Sequence, residues 1–201
     1  MVETGVFGDA VREWVAGEGR GRPGEWGVRT VVLVEGLSDL AAVDALARMR
    51  GRDLAGEGVA VVSMGGAMNV GRYAERLGPG GAGLRLVGLC DERERGFYER
   101  GFGRAGAAEE DVFVCAADLE DELVRALGVA RIEDVVRRAG DLRPWQTLLH
   151  QPAHAGRPRE AVLRRFFGTK KGRKIRYGRL LVEELRPDEV PAPLDALLDL
   201  L

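Results

Sequence analysis

The chain is short of the side chains on which many enzyme chemistries depend: among 201 residues it has two cysteines, two histidines and two serines. Cys90 and Cys115 each lie in or at the end of an apolar run without Cys-x-x-Cys spacing, which argues against a zinc site or a disulfide framework and leaves them as core thiols. His150 and His154 have the i, i+4 spacing of a metal pair, but Pro152 between them disrupts the helix that would align them. Gly36-Leu37-Ser38-Asp39-Leu40 lacks the closing glycine of a hydrolase elbow, which argues against a serine hydrolase. No run approaches the roughly 20 apolar residues of a membrane helix. Residues Met1 to Gly5 carry neither the charged start nor the apolar stretch of a signal peptide, so a cytoplasmic protein with no membrane partner is expected. Nothing matches Gly-x-x-x-x-Gly-Lys-Ser/Thr, so an ATPase would have to be a separate partner.

What is present is arginine, glycine, alanine and acid. Of 30 basic residues only Lys170, Lys171 and Lys174 are lysine. The net charge of −2 conceals an uneven distribution: residues 157–179 hold ten Arg/Lys against Glu160 alone, a local +9, so the remainder carries −11. An acidic portion suits cations and a basic one suits phosphate.

Hydrophobic residues make up 45% of the chain, enough for one good core. A short helix over Asp9 to Ala16 and a Gly/Arg/Pro-rich linker over Gly17 to Gly27 are expected first. The β-branched run Thr30 to Val34 predicts a strand buried on both faces, followed by a helix from Ser38 to Arg50. Val59 to Ser63 predicts a second strand and Asn69 to Leu77 a helix. Leu84 to Cys90 predicts a third strand, then a charged loop, and Val112 to Cys115 a fourth. Only helical patterns follow: Leu119 to Leu127, Ile132 to Ala139, Pro144 to His150, Arg159 to Phe167, Lys174 to Leu185 and a last turn over Leu194 to Leu201. The expected architecture is α/β, a mainly parallel four-stranded sheet flanked by helices with a C-terminal helical extension. The expected divisions are 1–27 (helix and linker), 28–129 (α/β core) and 130–201 (extension with the basic patch).

Ligands bind open parallel sheets at the carboxyl ends of the strands, and here those ends are acidic. Strand one runs into Glu35-Gly36-Leu37-Ser38-Asp39, strand three into Asp91-Glu92-Arg93-Glu94, and strand four is followed by Asp118-Leu119-Glu120-Asp121-Glu122. Two carboxylates 4 Å apart repel by roughly 4 kcal/mol at an effective dielectric of 20, so a cation is needed to offset their gathering. Oxygen-only donors favour magnesium or manganese, which polarise phosphoryl groups and activate water. Asp39 and Asp118 could equally serve as helix-start residues, and Glu92 and Glu94 as solvated loop charges.

Glu35-Gly36-x-Ser38-Asp39 after a β-branched strand, with Asp91 after a later one, resembles the signature of Toprim domains, and the OLD (overcoming lysogenization defect) type fits best. That resemblance covers residues 29 to 185. It implies a Toprim-like, Rossmann-like fold and a metal-dependent nuclease acting on nucleic acid, with DNA as the expected polymer. It implies Glu35, Asp39, Asp91, Glu120 and Glu122 as metal ligands, and Glu35 and Lys174 as catalytic residues. OLD proteins usually carry an ATPase domain, which here would be a partner chain; a homodimer is a further expectation. The chain departs from the family at Asp-x-Asp, where Arg93 replaces the second aspartate. Either Glu94 reaches in instead or one of two metal positions is weakened, and the weakened case would leave a module that binds nucleic acid or an ATPase without cleaving.

Phosphate contacts are expected from Gly65, Gly66 and Asn69, a glycine turn ahead of a helix N-terminus with Asn69 as its cap, and from Lys170, Lys171, Arg173 and Arg176. Lys174 is expected to neutralise charge on the scissile phosphate, with Lys171 as substitute, because an ammonium is compact enough to approach a phosphoryl oxygen as a point charge.

Overall fold

A computed structural model describes residues 4–170 and 172–201. Four parallel strands, β1 (Thr30–Val34), β2 (Val59–Ser63), β3 (Arg85–Asp91) and β4 (Val112–Cys115), form one sheet in the order β2-β1-β3-β4. In register, Val34 of β1 faces Ser63 of β2 and Leu89 of β3, while Asp91 of β3 faces Cys115 of β4. Alternate residues of each strand enter two separate cores, as a doubly covered sheet requires. Val32, Val34, Val61, Val87 and Leu89 face one core; Val31, Leu33, Ala60, Val62 and Leu86 face the other.

The first core is covered by α2 (Leu37–Met49) and by helices from the C-terminal part of the chain. These are α5 (Leu119–Arg138), α6 (Leu142–Leu149), α7 (Arg159–Gly168), α8 (Arg173–Val182) and α9 (Ala192–Leu200). Gly128, at φ 70° and ψ 159°, breaks α5 into two helical pieces, in keeping with the separate patterns on either side of it. Trp145, Phe166, Phe167 and Tyr177 lie in this same core, so residues beyond 130 pack continuously with the sheet. Trp145 meets Phe166 edge-on at 5.4 Å and Phe167 stacks on Tyr177 at 5.0 Å; full burial of such a side chain contributes about 1.5–3 kcal/mol.

The second core is covered by α1 (Thr4–Ala16), α3 (Val70–Leu77) and α4 (Arg95–Ala105). The expected linker contains a short 3-10 turn, Pro23–Trp26, closed by Gly27 in the left-handed region. The charged loop expected between the third and fourth strands is in fact helix α4. Its three glycines disguise it, and two glycines of this layer serve close approach. A methyl on Gly101 would sit 3.3 Å from the Gly71 backbone of α3, and one on Gly88 would meet the Tyr98 ring at 2.8 Å. Helix propensity is sacrificed where two backbones must nearly touch. Gly8 has the same role in α1, where a methyl would strike the Val61 carbonyl oxygen at 2.3 Å, and the helix begins before the expected Asp9. Among the described residues no helix is long and apolar enough to cross a membrane.

Candidate metal centre

The chain leaves β1 for β2 on one side of it and β3 lies on the other, so the order reverses between β1 and β3. The helices that follow these strands, α2 and α4, go to opposite faces, which opens a crevice at their carboxyl ends. Glu35 and Asp91 stand at that crevice. Carboxylate oxygens of Glu35, Asp91 and Glu94 lie within 4.8 Å of one another. A cavity of about 10 Å³, room for roughly one water-sized sphere, is lined by Glu35, Asp39, Cys90, Asp91, Cys115, Glu120 and Lys174.

The turn after β1 is braced. The Gly65 and Gly66 amides both donate to the Glu35 carbonyl oxygen, at 3.0 and 3.1 Å. The Gly36 amide donates to Asp39 Oδ2 at 2.9 Å, so Asp39 caps the start of α2 and still faces the acids. Gly65 (φ 71°) and Gly66 (φ 126°) occupy backbone conformations that other residues rarely adopt. Their amides are engaged with protein and hold Glu35 in place, while both glycines line the groove onto which Lys174 opens. Asn69 does not cap α3 with its side chain; its Nδ2 donates to the Met64 carbonyl at 2.9 Å and closes the same turn.

The turn after β3 is looser. The Glu94 amide donates to the Asp91 carbonyl at 2.9 Å, which points Arg93 to solvent and turns the Glu94 carboxylate toward Glu35. Glu94 Oε2 is buried without a hydrogen-bond partner. Glu94 therefore stands beside Asp91 where an Asp-x-Asp pair would have supplied its second acid, and Arg93 does not face the crevice. Buried acceptors ordinarily find partners, so an orphaned carboxylate oxygen beside two others is a donor set that fits a cation. The all-oxygen donor set suits a hard divalent ion.

Glu120 and Glu122 part company. Both lie in the first turn of α5, where residues two apart point to different sides. Glu120 is buried, faces the cavity and pairs with Lys174 Nζ at 3.2 Å. Glu122 accepts from the Ala116 amide at 2.9 Å and pairs with Arg125 at 2.7 Å, away from the cavity, so it is not brought to the expected ligand set. Asp118 caps α5 through the Asp121 amide at 2.7 Å and is ion-paired with Arg164.

The electrostatics follow from this crowding. Burial, then the charge of Asp118 and the other acids, raises Asp91 to about 7. Burial, then a hydrogen bond with Glu35 and its charge, raises Glu94 to about 7. Asp39 is raised to about 6 by burial and by Glu120, with the Gly36 amide and Lys174 opposing. Burial pulls the Lys174 ammonium down, but the charges of Glu120 and Asp39 more than offset this and hold it above its ordinary value.

Lys174 also opens onto a larger groove of about 520 Å³ between the turn after β1, the glycine turn and the α7–α8 connection, lined by Lys170, Gly172 and Ile175 among others. The α8 helix lies close enough for this because Gly178, one turn beyond Lys174, has no side chain; a methyl there would meet the Ser38 carbonyl oxygen at 2.6 Å. Lys171 lies outside the described residues. Arg173 and Arg176 do not line the groove. Arg173 is buried, with its guanidinium 4.1 Å from the Phe166 ring centre and 3.4 Å from Asp141, and Arg176 donates to the Ala139 carbonyl at 2.7 Å. Both tie α8 to its neighbours, and Arg176 remains exposed at the surface.

The fold and this edge define a Toprim-type α/β unit. Residues 28–91 match the family described as overcoming lysogenization defect protein-like, TOPRIM domain. The C-terminal region of the Xanthomonas campestris pv. campestris OLD protein superposes with a TM-score of 0.64 at 26% identity, covering 86% of this chain and 93% of that one. The corresponding region of the Burkholderia pseudomallei OLD protein gives 0.63 at 23% identity, covering 86% and 96%. No curated protein sequence matches the chain. The resemblance read from the motifs is thus borne out: residues 28–91 match the OLD-like Toprim model, and the α/β fold is like that of OLD C-terminal regions.

Proposed function

We propose that this chain is a divalent-metal-dependent nuclease, with magnesium or manganese held by Glu35, Asp91 and Glu94 and flanked by Asp39 and Glu120. The observation that carries this reading is the meeting of three carboxylates within 4.8 Å at the sheet's switch point, one of them with a buried, partnerless oxygen. When bound, the ion supplies Lewis-acid polarisation of a phosphoryl oxygen. The chain's own groups do the rest. Lys174, half in the groove and half against Glu120, places a positive charge where a phosphodiester in the groove develops negative charge. Lys170, exposed on the same groove, steers the polyanion toward it. Asp39 and Glu120, which line the same cavity as Glu35 and Asp91, are the acids placed to take the proton from an attacking water. The polymer proposed is DNA.

The test is incubation of the purified chain with plasmid and with single-stranded DNA in magnesium or manganese, alongside Glu35→Gln. Cutting that requires the ion and falls at least a hundredfold in the variant is expected, about the effect of removing one central electrostatic group. Tight binding of DNA with no cutting by the wild-type chain would replace this reading with that of a non-cleaving module.

A further inference from the structure

On the face of the sheet opposite the lysine-bearing helices, α3 and α4 enclose a shallow groove of about 440 Å³. Its floor is Val70 and Gly71, and the missing side chain of Gly71 lets the Arg104 guanidinium lie across the helix. Its walls carry two rails of positive charge: Arg72 and Arg76 one turn apart on α3, and Arg100 and Arg104 one turn apart on α4, all exposed. The one acid lining it is Glu75, which pairs with Arg104 at 3.1 Å. The other three guanidinium groups lie over aromatic rings, Arg72 on Tyr73 at 5.4 Å, Arg76 on Trp14 at 5.1 Å and Arg100 on Phe97 at 5.2 Å. They are held in place while their charge stays open to a ligand.

The groove adjoins both acid-bearing turns. Met68, 82% exposed, follows the glycine turn that pins Glu35, and Phe97, 38% exposed, lies one helical turn beyond Glu94; both line it. Two further exposed apolar residues, Leu37 and Ile175, line the lysine groove on the other side of the centre. Apolar surface left in water beside paired cationic rails suits a ligand with both flat apolar faces and a charged backbone. A duplex keeps its base faces stacked inside; an unpaired strand offers them.

We infer that the α3–α4 groove holds a single-stranded stretch of polynucleotide running off the metal centre, with bases against Met68 and Phe97 and phosphates between the arginine rails. This rests on the reading of the centre as one that acts on polynucleotide, and it adds which form of polymer is gripped. The test is fluorescence anisotropy with the full chain in EDTA, on a labelled single strand of about 16 nucleotides and the matching blunt duplex. Arg72→Ala/Arg100→Ala is expected to weaken single-strand binding at least tenfold and to flatten the log–log salt dependence by about 1.4. Phe97→Ala is expected to weaken it several-fold with the salt slope unchanged. Unaltered affinity in the double arginine variant, or equal losses on duplex and single strand, would overturn the assignment. Because binding is read without divalent ions, absence of cleavage in magnesium would sink the nuclease reading alone, whereas indifference to these substitutions would sink the groove alone.

Discussion

The turns after β1 and β3 deliver acids to the same crevice by different means. The first is held at three points: Gly65 and Gly66 grip the Glu35 carbonyl, Gly36 grips Asp39, and α8 presses on Ser38 through Gly178. The second is tied by the Glu92 amide to the Cys115 carbonyl and by the Glu94 amide to the Asp91 carbonyl, but it has a solvent-directed Arg93 and a carboxylate oxygen with no partner. One side of the site is fixed by the protein's own bonds, and on the proposed reading the other would gain its missing interaction from a cation. If the proposed function holds, this arrangement gives preorganisation where the substrate's charge is met and leaves the acid repulsion to be relieved by metal.

The widest separation between the two sides should come from Lys174, which is carried by the braced side. Lys174→Ala is expected to lower the turnover number for DNA cleavage about a hundredfold while metal binding, followed by calorimetry, stays within a few-fold. Equal loss of metal affinity would show that the lysine merely supports the acids. On the looser side, Glu94→Gln should weaken manganese or magnesium binding by about tenfold or more, whereas Arg93→Ala should change it little. A large effect at Arg93 with none at Glu94 would reverse the assignment made to that turn.

The smallest effect expected is in pH. Asp91 and Glu94 are raised to about 7 and Asp39 to about 6, so on the acid side of that range the folded chain holds protons that the unfolded chain has released. These acids therefore make the metal-free fold less stable as pH rises from their ordinary values, 3.8 and 4.5, through about 7. Metal needs the ionised forms, so its stabilising effect should grow several-fold over the same interval, with protons released on binding. Thermal melts with and without magnesium between about pH 5.5 and 8 check both signs; a metal-induced shift that shrinks as pH rises would contradict them.

The strands were legible because β-branched runs buried on both faces leave a continuous apolar signature, and the acids were legible because they directly follow those runs. Helix α4 was not, since Gly96, Gly101 and Gly103 lower its propensity, and the reason for Gly101, close contact with Gly71 of α3, lies outside the segment. Glu122 looked as suitable as Glu120, yet helical phase sends it to Ala116 and Arg125. For Glu94 the sequence left open a solvated charge or an acid reaching in for the missing aspartate, and only the turn at Asp91 aims it inward. Its signal was present in one form: an acid three residues after Asp91, next to an arginine that could not serve.

Composition and local pattern alone were enough for a parallel four-stranded sheet with acidic strand ends and a lysine cluster, because each of these is a property of a few neighbouring residues. The order of the strands, the oxygens that share one cavity, and the arginines that turn inward were decided only by tertiary packing. Each depends on which way a backbone turn or helix face points once segments as distant in sequence as Ser38 and Gly178 are in contact.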